Sequence, residues 1–393
     1  MSARILVLTA GFGEGHNAAA RAIVAAANAA YGENTAQLVD AFALASPRFN
    51  TLARKSYLGM INRAPGLWSA MYGWLDRSPH AGRLMGLLIG ERRALARKLK
   101  EDQPALLCST YPVYGFMLDA LAKQGLALPP HFNVVTDSIS INSLWWRARC
   151  DGWFLPNEDS AGILRQAGLP ERSLHVLGFP VHPHFAALAP TLSPPDLATG
   201  ATPRVLYIVN SGTATAAETA RRLLTTTDWD LTCTVGRNEA LRVELSRLAQ
   251  ARRAPARILG WTDEIPALLL THNVVISKAG GATTQEALAA RCPMVVNQIV
   301  PGQEEGNYEL LRRHRIGALA ETPDAVIREL QLAFQNRGEV WQAWRRAVDS
   351  LSRPQAARDI AAALFARLPA EEPIPLPLRA AAELTSSPST APA

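Results

Sequence analysis

Short runs of β-branched and aliphatic residues alternate with longer Ala- and Leu-rich stretches of helical period through most of this 393-residue chain. The first half carries such runs at Ile5 to Leu8, Leu38 to Val39, Ala105 to Cys108, Asn133 to Val135 and Gly152 to Leu155. Parallel strands cannot be joined by tight turns and need a crossover, usually a helix, so this alternation predicts a parallel sheet covered by helices on both faces. The pattern pauses near Pro183 to Pro203, where Pro190, Pro194 and Pro195 lie among Ser, Thr and Gly. It restarts with runs at Val205 to Val209, Leu231 to Val235, Arg257 to Leu259, Val274 to Ser277 and Met294 to Val296. The expected architecture is α/β, with two doubly wound, Rossmann-like domains. The boundaries expected are 1–185 for the first domain, 186–203 for a linker, 204–350 for the second domain and 351–368 for a C-terminal helix. Residues 369–393, rich in Pro, Ala, Ser and Glu without a period, are expected to be a disordered tail.

Composition excludes several classes. Hydrophobic residues make up 48% and charged residues 19%, a globular balance that rules out wholesale disorder. The most apolar run, Leu84 to Ile89, is far shorter than the roughly 18 residues a spanning helix needs. The start, Ile5 to Leu8 behind Arg4, is broken by Gly13, Glu14 and His16, so no export signal is expected. Cys108, Cys150, Cys233 and Cys292 are too scattered for a CxxC metal site or a disulfide framework, and read as reduced thiols of a cytoplasmic protein. The formal charge of +6 is concentrated: Arg48 to Lys100 holds eleven Lys or Arg against only Asp76 and Glu91. Aromatic and aliphatic residues, among them Tyr57, Met60, Trp68, Met71 and Trp74, interleave with those cations. That mixture suits a surface lying on anionic lipid, and equally a pair of amphipathic helices with a solvated basic face. No helix-turn-helix, RNP-like or zinc-finger pattern accompanies the charge, which argues against a nucleic-acid partner.

Two segments carry chemistry. The first strand runs into Gly11-Phe12-Gly13-Glu14-Gly15-His16 and then a helix-forming stretch. A Gly-rich turn at the end of a strand lets the backbone approach a ligand that faces the helix N-terminus. A dinucleotide fingerprint would put Gly or Ala at position 16, so a dehydrogenase is disfavoured despite Asp40 at the end of the second strand. At a helix N-terminus the positive dipole end favours a neutral imidazole, the form in which His16 can accept a proton from a hydroxyl. The second segment is Ser277-Lys278-Ala279-Gly280-Gly281-Ala282-Thr283-Thr284-Gln285-Glu286-Ala287, followed after the next strand by Val300-Pro301-Gly302-Gln303-Glu304-Glu305-Gly306-Asn307. Gly280, Gly281 and Thr283 present backbone N–H groups to a pyrophosphate, and Glu286 can accept from two ribose hydroxyls. Gln303 and Glu304, opening the following helix, can read sugar hydroxyls.

Together these segments resemble the glycosyltransferase family that contains monogalactosyldiacylglycerol synthases, processive diacylglycerol glucosyltransferases and the lipid II N-acetylglucosaminyl transferase. The matching pieces run from Arg4 to about Gly317, and Pro301 to Asn307 points to the diacylglycerol branch. The resemblance implies a GT-B fold with two domains facing a cleft, and inverting transfer of a hexose from a UDP-sugar to a lipid hydroxyl. Carried over, it gives His16 and Asp137 as catalytic residues. It gives Ser211, Gly280, Gly281, Thr283, Glu286, Gln303, Glu304 and Asn307 as donor contacts. Gly13, Gly15, Tyr111, Trp68, Trp74, Arg63 and Arg77 would meet the acceptor or the membrane. Ser109-Thr110-Tyr111-Pro112 matches the family's turn after the third strand, and Val134 to Asp137 followed by Trp145 matches another stretch. Asn142 stands where relatives carry a histidine, and Asn210 to Thr213 replaces a glycine-richer loop.

Asp228-Trp229-Asp230 has the spacing of a metal-binding DxD, but reads as a surface turn entering a strand. No metal and no cofactor is expected, since helix-dipole and amide stabilisation of departing UDP makes a divalent ion unnecessary. The expected partners are a UDP-hexose, a lipid acceptor and an anionic membrane, with the protein peripheral on the inner face of the cell membrane. The rival readings are a soluble UDP-sugar epimerase or hydrolase of the same fold, and a non-catalytic nucleotide- or lipid-binding module.

Overall fold

The computed structural model describes residues 4–11, 13–46, 73–74, 76–78, 88–209, 214–300 and 304–368. Arg63, Trp68, Ser211, Gln303 and the tail 369–393 lie outside them. The first half runs β1 (Ile5–Leu8), α1 (Glu14–Tyr31), β2 (Ala36–Val39), α2 (Ala41–Ala45), α3 (Ile89–Asp102), β3 (Leu106–Ser109), α4 (Val113–Lys123), β4 (His131–Val134), α5 (Leu144–Arg147), β5 (Gly152–Leu155), α6 (Glu158–Gln166) and β6 (Leu174–Val176). After α7 (His184–Leu188) come β7 (Arg204–Ile208), α8 (Ala214–Thr226), β8 (Asp230–Thr234), α9 (Glu239–Ala251), β9 (Ala256–Leu259), α10 (Ile265–Thr271), β10 (Val274–Lys278) and α11 (Gly281–Ala289). The chain ends with β11 (Met294–Gln298), α12 (Glu305–Arg313), β12 (Ala318–Leu319), α13 (Pro323–Val348) and α14 (Ala356–Phe365).

Two six-stranded sheets result, ordered β2-β1-β3-β4-β5-β6 and β12-β11-β10-β7-β8-β9, with every pairing parallel. All four residues of β1, β3, β4 and β5 are buried, as strands covered on both faces by crossover helices must be. Strand order reverses beside β1 in the first sheet and beside β7 in the second. At such a reversal the flanking crossovers leave in opposite directions and open a crevice at the carboxyl edge. The Gly13–Gly15 turn leaves β1 at one of these points, and the Gly280–Gly281 turn leaves β10, which pairs with β7, at the other.

Two strands escaped the sequence pattern. β6 is three residues at a sheet edge and β12 only two, too short to show a period against their flanks. The proline-rich stretch after Pro183 is partly packed: Leu197, in a 3₁₀ turn, is buried in the second domain's core with Val205 and Trp341. It lies against Gly338, whose φ of 74° sits within a break at residues 335–338 of α13. The C-terminal helix returns to the first domain. Ala357, Ile360, Ala361 and Leu364 of α14 are buried with Ile5, Ala20, Ile23 and Phe154, and Phe365 stacks on Tyr31 with ring centroids 3.8 Å apart. The chain thus crosses between the domains twice. Asp40, which the sequence left as a ribose-binding possibility, caps α2 through the N–H groups of Phe42 and Ala43 and also accepts from Gly11 N–H at 3.1 Å. Its carboxylate shapes the turn after β1.

If α14 completes the first domain's core, Leu364→Ala removes buried apolar volume from that domain and costs about 2–5 kcal/mol. Calorimetry should show the first domain's melting transition lowered by several degrees while the second domain's stays in place.

Candidate active site

The first-domain half is built on α1. Gly13, at φ 113° and ψ 137°, precedes the helix, a conformation that L side chains rarely adopt, and no side chain caps the helix. The first-turn N–H groups therefore point into the cleft without intrahelical acceptors. His16 is the third residue of α1. Its Nδ1 lies 2.8 Å from the Thr110 carbonyl oxygen and 2.7 Å from Thr136 Oγ1. A carbonyl can only accept, so this geometry assigns the proton to Nδ1 and leaves Nε2 as the basic nitrogen. Burial holds the imidazole pKa below its ordinary value of 6.5, while the charge of Asp137 and the Thr110 carbonyl pull it upward. Thr110 Oγ1 donates back to the His16 carbonyl at 3.0 Å, so the third-strand turn grips the helix start twice.

Aromatic rings enclose the imidazole. Tyr111 meets it edge-on with centroids 5.1 Å apart, and Trp145 lies at 6.3 Å. The Trp145 indole N–H donates to Asp137 Oδ2 at 2.7 Å, and its carbonyl accepts from Asn133 Nδ2 at 3.2 Å and Trp153 Nε1 at 2.8 Å. Asn133 in turn accepts from Ser109 Oγ at 2.6 Å. A buried polar chain between β3, β4 and β5 thus fixes the ring beside the histidine. Asn142, buried, accepts from Leu144 N–H at 3.0 Å and so shapes the start of α5. That is a turn-capping task which suits asparagine.

The second-domain half is built on α11. Gly280 is its N-cap, again with no side-chain cap, so a second set of first-turn amides opens toward the cleft. Asn307 Nδ2 donates to the Ala279 carbonyl at 2.9 Å and lies next to Gly281, bracing the turn from α12. Glu304 is buried. It pairs with Lys278, and its Oε2 accepts from Val300 N–H at 3.0 Å. Its Oε1 stands 3.7 Å from where a Cβ on Gly280 would be. The two halves meet: a Cβ on Gly15 would lie 3.8 Å from the Ala282 backbone nitrogen, so the open N-termini of α1 and α11 converge from opposite domains.

Beside that meeting point lies a cavity of about 1320 Å³, with Thr283 and Glu286 of α11 on one wall and Ala18, Arg21 and Ala25 of α1 on the other. Its far end is formed by residues after β8 and β9, including Arg237 and Trp261. Trp261 is 71% exposed, and the Arg237 guanidinium lies 5.4 Å from its ring centroid. Burial raises the Glu286 pKa to about 7, and the positive charge of Arg21 opposes that rise.

The structure therefore gathers Gly13, Gly15, His16, Tyr111 and Asp137 on one side of the cleft. On the other it places Gly280, Gly281, Thr283, Glu286, Glu304 and Asn307. Trp74 is 54% exposed and Arg77 is also exposed, and Asp76 beside them accepts from Ser143 N–H at 2.6 Å near the start of α5. Asp228 and Asp230 enter β8 at the sheet edge opposite the cleft, and Asp230 pairs with Arg204 at 3.0 Å. Among the described residues no cluster of three His, Cys, Asp or Glu could hold a metal ion. Sequence reasoning missed Thr136, Trp145, Arg21, Lys278 and Trp261 as parts of the site. Thr136 and Lys278 lie within two positions of residues it did single out, but only folding reveals which side chains turn inward.

Comparison with known proteins agrees with this geometry. The family model of monogalactosyldiacylglycerol (MGDG) synthase matches residues 16–181. The chloroplastic monogalactosyldiacylglycerol synthase of Spinacia oleracea is 27% identical over 370 residues, covering 90% of this chain and 70% of that protein. A processive diacylglycerol β-glucosyltransferase of Bacillus cereus is 22% identical over 368 residues, covering 92% and 93%. Among solved structures, Acinetobacter baumannii MurG superposes with a TM-score of 0.59 at 13% identity over 92% of this chain and 99% of that one. The chain is a GT-B protein and a homologue of the diacylglycerol glycosyltransferases. The family match ends at residue 181, so its residues supply the His16 half, while similarity to the two diacylglycerol glycosyltransferases extends over both domains.

A carboxyl whose folded pKa is raised stabilises the fold only while protonated. Glu286 therefore favours folding below about pH 4.5, and that advantage disappears as pH rises through about 7. Glu286→Gln, which stays neutral, should be more stable than the parent protein above pH 7, with the difference in melting temperature shrinking to nothing near pH 4.5.

Proposed function

We propose that this protein transfers a hexose from a UDP-sugar to the hydroxyl of diacylglycerol at an anionic membrane surface, with inversion at the anomeric carbon. The observation that carries the reading is the approach of Gly15 to Ala282. It sets a buried, neutral imidazole across a narrow cleft from an uncapped helix N-terminus, with the Glu286 cavity alongside. The uridine ring occupies the cavity near Trp261, whose exposed face suits stacking. Glu286 accepts from the ribose hydroxyls, and the diphosphate lies against the amides of Gly281, Ala282 and Thr283. Glu304, held by Lys278, and Gln303 take the hexose hydroxyls.

His16 Nε2 accepts the proton of the acceptor hydroxyl as its oxygen bonds to the anomeric carbon. The bond from that carbon to the diphosphate breaks on the opposite face, and UDP leaves with the bonding pair. Inversion follows from a single displacement. The charge growing on the departing diphosphate is stabilised by the α11 amides and dipole, which makes a metal ion dispensable in this reading.

The membrane component rests on the surface of the first domain. No helix among the described residues is long and apolar enough to cross a membrane. The α3 helix carries Arg92, Arg93, Arg97, Lys98 and Lys100. Leu44 and Ile89 are exposed where α2 and α3 touch, with Gly90 against Ala45. Apolar side chains beside a basic helix are the pairing that anionic headgroups recognise.

Incubation with UDP-glucose or UDP-galactose and diacylglycerol in phosphatidylglycerol vesicles, with product mass spectrometry, tests the whole reading. A hexosyl-diacylglycerol formed in the presence of EDTA is expected; UDP release that ignores the acceptor would overturn it. His16→Ala should lower kcat by 100-fold or more and leave UDP affinity within about twofold, as expected of a general base. Activity should fall on the acid side only below the ordinary histidine range. Because ribose hydroxyls stabilise ionised Glu286, UDP should bind more tightly as pH rises through about 7, with proton release detectable by calorimetry in buffers of different ionisation enthalpy.

A further inference from the structure

The segment from Thr136 to Ser140 follows β4 in the first domain and touches both halves of the site in succession. Thr136 bonds the imidazole of His16, and Asp137 receives the Trp145 indole N–H. One residue on, Ser138 Oγ accepts from Gln285 Nε2 of α11 at 3.0 Å, in a buried contact across the domain boundary. Gln285 is the immediate neighbour of Glu286. Ile139 adopts φ 54°, a conformation strongly disfavoured for a β-branched side chain, yet it packs on the second domain's core cluster with Leu310 and Leu311. The Ser138 carbonyl and Ser140 N–H lie against Gly306 of α12. A Cβ there would overlap the Ser138 oxygen and stand 2.7 Å from Ser140 N. Gly306 belongs to the Pro301 to Asn307 motif, whose neighbouring residues 303 and 304 are assigned to the hexose.

Backbone strain of this kind persists only where surrounding structure over-determines it. Here much of the surroundings belongs to the other domain: the amide for Ser138 comes from α11 and the empty space over Gly306 from α12, and Ile139 packs on a core cluster drawn mostly from the second domain. Within the segment Ser140 N–H also bonds the Ser138 carbonyl around Ile139, so this local turn and the interdomain docking together hold Ile139 at positive φ. Relaxation of Ile139 would carry Thr136 and Asp137 away from the histidine, because only two or three residues separate them.

We propose that residues 136–140 form an interdomain coupler, in which docking of Ser138 and Ile139 on Gln285 and Gly306 sets the orientation of His16, so that the base is aligned only when the donor domain is closed onto it. Ser138, Ile139 and Gly306 are positioning residues rather than catalytic ones. The inference rests on the glycosyl-transfer reading. It gives a physical reason for a glycine at position 306, where neither turn conformation nor ligand approach demands one. It also explains how binding a sugar nucleotide in one domain can prepare a proton acceptor in the other.

Two variants of the full chain test it. Ile139→Gly relieves the backbone strain and keeps the fold, but deletes the anchor. Gly306→Ala leaves the nucleotide cavity intact and blocks docking sterically. For both, kcat with diacylglycerol vesicles should fall at least tenfold, while the Kd for UDP, measured by calorimetry, stays within twofold and the melting temperature of Ile139→Gly stays within a few degrees. Small-angle scattering with UDP bound should show a larger radius of gyration than for the parent protein. Unchanged kcat in Ile139→Gly would overturn the coupler, as would an equal loss of UDP affinity and kcat, which marks a merely structural role. Failure of the parent protein to glycosylate diacylglycerol would instead overturn the reading on which the coupler rests.

Discussion

Two helix N-termini that face each other from separate domains are the constraint on which this molecule is organised. An uncapped N-terminus leaves N–H groups without intrahelical acceptors and carries a partial positive charge. Setting two of them at van der Waals distance, with Gly15 against Ala282, is tolerable in an empty cleft open to water and favourable once an anion lies nearby. A Cβ at Gly15, Gly280 or Gly281 would already be in van der Waals contact with its surroundings, so glycine leaves the space between the two starts open. The surrounding residues are arranged to maintain this approach: Asp40 holds the turn after β1, Asn307 braces the turn after β10, and Thr110 ties down the first turn of α1.

The imidazole and the Glu286 carboxyl illustrate one physical effect applied to opposite charge types. Burial disfavours whichever form is ionised, so it lowers the histidine pKa and raises the glutamate pKa. For a base that has to be neutral before it can accept a proton, this is direct preparation. For the carboxyl proposed to gather ribose hydroxyls, it means that a ligand would have to supply the polar contacts that water no longer provides. The neighbouring charges, Asp137 for the one and Arg21 for the other, oppose burial and favour the ionised form.

The two domains are linked by more than the connecting chain. α14 returns to the first domain's core, Asp159 of α6 accepts from His314 at 2.9 Å, and the Ser138–Gln285 bond is buried. A hinge crossed twice by the chain permits rocking and restrains separation, which fits a site whose chemistry needs both walls. The basic, apolar surface near α3 lies on the same domain as His16.

The main strands, their parallel arrangement and the two Gly-rich turns were legible in the linear pattern because they depend on local constraints: burial on both sheet faces demands continuous apolar runs, crossovers demand helices, and a turn at positive φ favours glycine. β6 and β12 were not, since two- and three-residue edge strands owe their existence to the neighbour they pair with. The same division holds in the site. His16, Glu286 and the Gly280–Gly281 turn stand out by position at the end of a strand, and the Pro301 to Asn307 motif by its resemblance. Thr136, Trp145 and Arg21 acquire a place only when distant segments are brought together, and Gly306 acquires its reason only when residues 138–140 are laid over it. Chain-local chemistry decided the elements and the type of ligand they can face, whereas the packing of one domain on the other decided which side chains share a cleft, because contacts between residues more than a hundred positions apart leave no period in the sequence.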